Sequence, residues 1–236
     1  MISNRVLITG CSQGIGLALA LEFARDGWGV IATARKSYRP ALQAAATHFP
    51  SLRVIEMDVT DEADVAYAAL TVAESDGALD VLVNNAAVFS GEGNEKLEAL
   101  DLEWFEEAFA TNVTGTVAVT RAFLPLLRRS HHPRIVNISS GAGSISEKDD
   151  WSYYPYSASK AALNIVTRMM AHEFAAEGII VSAISPGWVH TQMGGPQAPV
   201  SPDDCAAALK KTITNLATTD SAKFLDRFGD ASAYAW

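Results

Sequence analysis

Short runs of β-branched and aliphatic residues recur along this chain, and stretches with helical spacing of apolar residues separate them. Near-continuous hydrophobicity over so few residues is typical of strands that are buried on both faces of a sheet. The predicted strands are 6–8, 30–33, 54–57, 81–83, 135–138 and 179–183, with a last one near 223–225. Strands that alternate with helices indicate βαβ units with right-handed crossovers, and hence a parallel sheet.

The helix-period stretches between these runs complete the predicted architecture. They are 15–26, 39–48, 62–75, 102–129 and 157–177, with a further helix beginning near Ser201. The alternation predicts an α/β fold, a doubly wound parallel sheet of about seven strands with helices on both faces. No linker or repeat interrupts it, so residues 1–236 are expected to form a single domain. Ligands of such sheets bind outside the carboxyl ends of the strands.

Composition excludes several classes of protein. The net charge of −9, from 18 basic and 27 acidic residues, argues against a nucleic-acid or anionic-membrane binder. Cys11 and Cys205 have no metal-ligand spacing, and the His131–His132 pair lacks further ligands, so no metal site is expected. The chain has no secretory signal pattern and no apolar run of membrane-spanning length, which predicts a cytoplasmic protein.

A glycine-rich segment follows the first predicted strand and opens the first predicted helix. Glycines are needed at such a position for a tight turn, for close approach of the backbone to a pyrophosphate, and for packing of helix against sheet. The phosphates would lie at the helix N-terminus, where free N–H groups and the helix dipole favour negative charge. The predicted dinucleotide contacts in this loop are Gly10, Ser12, Gln13, Gly14, Ile15 and Gly16.

Tyr156 and Lys160 are spaced i, i+4, which places them on one face of a helix. An ammonium near a phenol favours the phenolate, so Lys160 is expected to lower the pKa of Tyr156. A surface tyrosine packed on a lysine stem would give the same spacing. The position of this pair after a strand, beside Ser140 and in a chain with a dinucleotide loop, favours an acid–base pair instead.

The segment 9–16 resembles the TGxxxGxG cofactor loop of the short-chain dehydrogenase/reductase family, and nearly the whole chain follows that family's pattern. Asn84-Asn85-Ala86-Ala87 matches its NNAG motif, with Ala87 in place of the usual glycine. Segment 186–195 and the C-terminal segment are similar to the C-factor and Sniffer-type carbonyl reductases. The resemblance implies a Rossmann-type fold.

The resemblance also implies roles for individual residues. The catalytic set would be Asn112, Ser140, Tyr156 and Lys160. Tyr156 would be the acid–base, Ser140 would bind the substrate oxygen, and Asn112 would anchor a water of the proton relay. Lys160 would also bind the nicotinamide ribose together with Tyr156, and Thr191 would bind the nicotinamide carboxamide. The other implied cofactor contacts are Asp58, Val59, Asn84, Asn85, Ala86, Pro186, Gly187 and Val189.

The end of the second strand indicates which cofactor is used. NAD-binding proteins of this type place an acidic residue there, to bind the adenosine ribose hydroxyls. This chain has Ala34 followed by Arg35 and Lys36, and an arginine is well suited to a 2′-phosphate. NADP(H) is therefore the predicted cofactor, and a hydride would pass between nicotinamide and a small carbonyl or alcohol substrate.

Two alternatives remain open at this point: a cofactor-binding redox sensor, and a C-factor-like signalling protein with little turnover. The sequence does not identify the substrate or the physiological direction. It does not fix the oligomeric state either. The family resemblance suggests a homodimer or homotetramer, since the family often pairs its two long helices, here 102–129 and 157–177.

Overall fold

The computed structural model describes residues 4–35 and 40–236. Within these residues, seven strands form one parallel sheet in the order β3-β2-β1-β4-β5-β6-β7, which confirms the predicted fold class. The strands are β1 Arg5–Ile8, β2 Gly29–Ala34, β3 Leu52–Glu56, β4 Val81–Asn84, β5 Arg134–Ile138, β6 Ile180–Ser185 and β7 Phe224–Asp226. The helices are α1 Gly14–Arg25, α2 Pro40–Ala46, α3 Glu62–Asp76, α4 Glu103–Phe109, α5 Thr116–Leu127, α6 Tyr154–Glu173 and α7 Pro202–Asn215.

Two apolar layers hold the helices to the sheet. Successive residues of β1 point to opposite faces, so Val6 and Ile8 pack with α1 and α7 while Leu7 packs with α3, α5 and α6. Phe23 of α1 and Phe123 of α5 are fully buried on the two faces. Strand order reverses between β1 and β4, and this reversal leaves a crevice at the carboxyl ends of the strands.

The predicted helix 102–129 is present as helical residues that run without interruption from Glu103 to Leu127, but its hydrogen-bonding pattern changes in the middle. α4 and α5 are joined by a π-helical turn, Ala110–Gly115, which contains Asn112. A Cβ at Gly115 would lie 2.9 Å from Val59 Cγ2, so glycine allows this turn to approach the loop after β3. Turns of this kind inside helices are often found at functional sites.

The start of α6 differs from the predicted one. α6 begins at Tyr154, three residues before the predicted start, with Pro155 in its first turn, where a fixed φ favours the helix. Tyr156 therefore lies in the first turn of α6. The predicted start of the second helix, at residue 39, lies outside the described residues.

Candidate active site

A cavity of about 990 Å³ opens at the carboxyl ends of the strands. The loops that follow six of them contribute to its walls. The predicted site residues that line it are Gly10, Ser12, Gln13, Gly14, Ile15, Gly16, Arg35, Asp58, Val59, Asn85, Ala86, Ser140, Tyr156, Lys160, Pro186, Gly187, Val189 and Thr191. Among the described residues, Asn84 and Asn112 do not line the cavity.

The glycine loop is locked against the loop after β4. The Thr9 hydroxyl oxygen accepts the backbone N–H groups of Asn85 and Ala86, at 3.0 and 2.9 Å, and the Asn85 amide donates to the Thr9 carbonyl at 2.8 Å. Gly10 has a φ of +70°, and a Cβ there would lie 2.8 Å from Ala86 Cα. A side chain at this position would push the two loops apart, so glycine is required.

The N-terminus of α1 is built differently from those of two other helices. Asp61 caps α3 by accepting two backbone N–H groups, and Ser201 caps α7. Among the described residues, α1 has no side-chain cap at Gln13 and no acidic residue in its first turn. Its first N–H groups and the positive end of its dipole face the cavity, which suits a bound phosphate. This end of the cavity therefore fits the pyrophosphate of a dinucleotide.

The predicted adenosine end of the site lies at the tips of β2 and β3. Ala34 is buried at the end of β2, and the exposed Arg35 lines the cavity. Asp58 also lines it, and its carboxylate is oriented by the backbone N–H and the hydroxyl of Thr60, at 2.9 and 2.7 Å. The guanidinium of Arg35 is thus present at the tip of β2, where the sequence predicts that the 2′-phosphate binds. Lys36 lies outside the described residues.

Three predicted catalytic side chains meet at the opposite side of the cavity. The Ser140 side chain lies beside the Tyr156 hydroxyl, close enough to influence the pKa of this phenol. Lys160 is 2% exposed, and its ammonium donates to the Ile138 carbonyl at 2.8 Å. The Lys160 nitrogen lies 5.7 Å from the centre of the Tyr156 ring. In this arrangement the Tyr156 phenol can carry a proton for transfer, and the Lys160 ammonium can place a positive charge beneath the Tyr156 ring.

In the protein without cofactor, the expected lowering of the Tyr156 pKa by Lys160 is wrong. Burial raises the pKa of Tyr156, and the neighbouring Ser140 side chain acts in the opposite direction with a smaller effect. Burial also lowers the pKa of Lys160 to about 8, because an ammonium loses hydration there. Lys160 is bonded to a backbone carbonyl and lies beneath the ring, so it does not ion-pair with the phenol oxygen. Tyr156 consequently keeps its proton at neutral pH.

The two consecutive serines after β5 have different partners. Ser139 is 2% exposed and donates its hydroxyl to Asn164 Oδ1 at 2.6 Å, while the Asn164 amide donates to the Gly143 carbonyl at 3.1 Å. The Ser140 oxygen accepts the Ala142 N–H at 3.2 Å, and although both serines border the cavity, only Ser140 is partly exposed. This geometry favours Ser140 over Ser139 as the residue that meets a substrate oxygen.

Asn112 is buried behind the site and joins two of its parts. Its side chain accepts the Val88 N–H at 2.9 Å and donates to the Val88 carbonyl at 3.1 Å, which fixes the loop after β4. Its amide also donates to Ser159 at 2.9 Å, and Ser159 donates to the Tyr156 carbonyl at 2.8 Å. The side chain of Asn112 thus links the loop after β4 to the first turn of α6, and its expected role in a proton relay stays a prediction.

The side chain of Asn84 lies in a buried polar network and does not line the cavity. Its amide donates to Asn137 Oδ1 at 2.8 Å and to Thr120 Oγ1 at 3.1 Å, between the sheet and α5. The residue is 4% exposed and lies outside the cavity wall. As the last residue of β4, Asn84 directs its side chain into a buried polar network, and its expected contact with the cofactor stays a prediction.

Several aromatic residues of the cavity were not predicted. The Phe89 ring lies 5.3 Å from that of Tyr156 and 5.4 Å from that of Tyr153, and Tyr234 comes from the C-terminal segment. Phe89 lies two residues after the NNAA segment, so proximity to that motif could have indicated it. Tyr234 is far from each motif in sequence, and no local pattern marks it.

Residues 4–35 and 40–236 contain neither a cluster of metal ligands nor a membrane-crossing helix. These residues contain no group of three or more histidine, cysteine, aspartate or glutamate side chains placed to hold a metal ion. None of the helices within them combines the length and the apolar character that crossing a membrane requires.

Comparison with known proteins gives the same family as the residue motifs. A family profile described as short chain dehydrogenase matches residues 4–200. An NADPH-dependent pterin aldehyde reductase of Arabidopsis thaliana is 35% identical over 226 residues, which cover 93% of this chain and 91% of the relative. C-signal of Myxococcus xanthus is 37% identical over 153 residues, 65% of this chain and 91% of the relative.

Solved structures extend the similarity to the complete fold. The NADPH-bound carbonyl reductase from chicken fatty liver superimposes with a TM-score of 0.92 at 32% identity, with all of both chains covered. The carbonyl reductase Sniffer of D. melanogaster gives a TM-score of 0.92 at 27% identity, with 99% of each chain covered. The predicted family resemblance is confirmed, and proteins of the Sniffer and C-factor types are among those that this chain resembles. This chain belongs to the short-chain dehydrogenase/reductase family.

Proposed function

We propose that this protein is an NADPH-dependent reductase of small carbonyl compounds, with Tyr156 as the proton donor. The observation that carries the proposal is the meeting of Ser140, Tyr156 and Lys160 in the cavity that also holds the uncapped N-terminus of α1 and Arg35. The names of the relatives support the same choice, since one is an NADPH-dependent aldehyde reductase and one is an NADPH-bound carbonyl reductase.

Each residue has a distinct part in the proposed reaction. When bound, the reduced nicotinamide supplies the hydride that attacks the carbonyl carbon. Ser140 and Tyr156 donate hydrogen bonds to the carbonyl oxygen, and they stabilise the negative charge that develops on it. Tyr156 then passes its proton to that oxygen, and the product is an alcohol.

The electrostatics of the described residues favour the reductive direction. Reduction needs the phenol form of Tyr156, and burial raises its pKa, so this form predominates at neutral pH. Alcohol oxidation would need the phenolate instead. Because its pKa is about 8, Lys160 is positively charged at neutral pH. The charged ammonium would bind the ribose hydroxyls and attract the phenolate that develops on Tyr156.

Turnover distinguishes this function from a redox sensor or a signalling protein. We expect loss of reduced-nicotinamide absorbance when the protein and NADPH are mixed with members of a panel of aldehydes, ketones and quinones. If the protein binds NADPH but consumes it with no member of the panel, the result would contradict the proposal and favour the sensor. The cytoplasmic location, the lack of nucleic-acid partners and the dimeric or tetrameric state stay predictions.

NADPH affinity is expected to depend on the charge of Lys160. If the Lys160 ammonium holds the ribose, binding raises its pKa, and the affinity falls as the free protein loses this proton near pH 8. We expect the Kd for NADPH to increase roughly tenfold between about pH 7 and about pH 9.5. The 2′-phosphate is mostly dianionic already at about pH 7, and its remaining ionisation would strengthen binding to a cation, so it does not account for the weaker binding.

The measurement is a nicotinamide fluorescence titration at constant ionic strength. Lys160→Met should bind NADPH more weakly at the lower pH and show a nearly flat pH dependence. An equally steep dependence in Lys160→Met would assign the titration to another group and contradict the role given to Lys160.

A further inference from the structure

The C-terminal segment 232–236 is docked against the loop that carries Ser140. Ser144 donates its hydroxyl to the Ala235 carbonyl at 2.6 Å, and Ser146 donates to the Trp236 carbonyl at 3.1 Å. The Trp236 ring stacks on Phe224 of β7 with 5.7 Å between centroids. These contacts fix a segment that is remote in sequence from the catalytic residues.

Docking brings Tyr234 beside Ser140. The Tyr234 ring stacks on Phe224, with centroids 5.1 Å apart and planes 24° from parallel. Its edge lies so close to Gly141 that a Cβ at this glycine would be 2.7 Å from Tyr234 Cε1. Gly141 directly follows Ser140, and both residues line the cavity together with Tyr234. The absence of a side chain at residue 141 therefore allows an aromatic ring next to the residue that would bind the substrate oxygen.

The loops on the substrate side of Tyr156 add two more aromatic rings. Tyr153 has a left-handed φ of +62°, which is strained for a residue other than glycine, and its N–H donates to the Gly93 carbonyl at 2.9 Å. Its ring packs on Gly93, which has no space for a Cβ, and on Phe89. The strained backbone thus holds Tyr153 at the cavity wall, where Phe89 connects it to Tyr156.

We propose that Tyr234 is a specificity-determining residue, and that it gives the pocket an aromatic wall that selects flat aromatic carbonyl compounds over puckered or aliphatic ones. The inference rests on the proposed reductase function and names its substrate class. A planar ring gains stacking or edge contacts with fixed aromatic side chains, beyond the area that it buries. Tyr234 and Tyr153 supply such rings from two different loops, and the cavity leaves them partly exposed.

The test compares benzaldehyde with cyclohexanecarbaldehyde, which has the same number of carbon atoms and a puckered ring. Because each variant is compared with the wild-type protein, the intrinsic reactivities of the two aldehydes cancel. Tyr234→Leu keeps apolar volume against Phe224 and Gly141, and it should lower kcat/KM for benzaldehyde about tenfold more than for cyclohexanecarbaldehyde. Tyr234→Phe should keep the wild-type preference, and Tyr67→Leu, on the exposed face of α3, serves as the control.

A binding measurement without turnover completes the test. We expect the Kd of benzyl alcohol, titrated calorimetrically into the NADPH-saturated protein, to rise about tenfold in Tyr234→Leu while the Kd of NADPH is unchanged. Equal losses for both aldehydes in Tyr234→Leu would make Tyr234 a purely structural residue and overturn the proposal. A wild-type protein that binds benzyl alcohol but reduces no carbonyl would instead contradict the reductase function, so the two failures can be distinguished.

Discussion

Replacing Tyr156 by phenylalanine is expected to abolish carbonyl reduction and to leave NADPH binding nearly intact. The change removes only the hydroxyl beside Ser140, while the ring remains packed against Phe89 and above Lys160. A positioned general acid contributes roughly 10²- to 10⁴-fold to a rate, so kcat should fall by about three orders of magnitude. The measurement is NADPH consumption with a saturating aldehyde, next to a fluorescence titration of NADPH.

Tyr154→Phe is the matched control for this variant. Tyr154 lies in the same first turn of α6 and outside the cavity wall, so removal of its hydroxyl should leave kcat within about twofold of the wild-type value. If Tyr156→Phe keeps more than about a tenth of the wild-type kcat, another group donates the proton. Tyr153 would then be the next candidate, because it also lines the cavity.

The fold was predictable because each strand is a short apolar run buried on both faces. All six strands of the central alternation, and the seventh near 223–225, are present in the described sheet. The π-helical turn within the helix 102–129 was not predictable from apolar spacing, which continues through it. The π-helical turn depends on tertiary contacts, namely the Asn112 amide on Val88 and the close approach of Gly115 to Val59.

The positions of site side chains were predictable where a motif determines the direction in which a side chain points. They were not predictable where that direction depends on tertiary packing. Tyr156 and Lys160 share a helix face, so their meeting in the cavity follows from their spacing. Asn84 shows the limit of this reasoning, since the motif gives its position at the end of β4 but not the buried network that its side chain joins. Burial also reversed the expected direction of the Tyr156 pKa, because desolvation depends on packing that spacing alone does not reveal.

The contribution of Tyr234 could not have been derived from sequence. It lies 94 positions from Ser140 in the sequence and reaches the cavity only because β7 and the docked C-terminal segment bring it there. Segments that follow the last strand carry no motif that indicates their partner. Their role in a pocket depends on packing against Phe224 and on the space that Gly141 leaves.

Cofactor preference is expected to reverse when Arg35 is replaced by aspartate. Arg35 is exposed at the end of β2 and lines the cavity, where its guanidinium can bind a 2′-phosphate through charge-assisted hydrogen bonds. The aspartate would repel that phosphate and accept hydrogen bonds from the ribose hydroxyls of NADH. Loss of the pair should weaken NADPH binding roughly 100-fold, about 2.7 kcal/mol, with NADH binding unchanged or tighter.

The preference is measured by fluorescence titration of both reduced cofactors at one salt concentration, because the attraction to the 2′-phosphate is screened by salt. Arg121→Asp is the control, since this arginine is exposed on α5, pairs with Glu62 and lies outside the cavity wall, while the change in net charge is the same. It should leave the ratio of the two Kd values near that of the wild-type protein. If the wild-type protein binds NADH as tightly as NADPH, or if Arg121→Asp alters the ratio as much as Arg35→Asp does, Arg35 is not the residue that recognises the 2′-phosphate. A reversal confined to Arg35→Asp would instead place the discrimination between the two cofactors in this single guanidinium at the tip of β2.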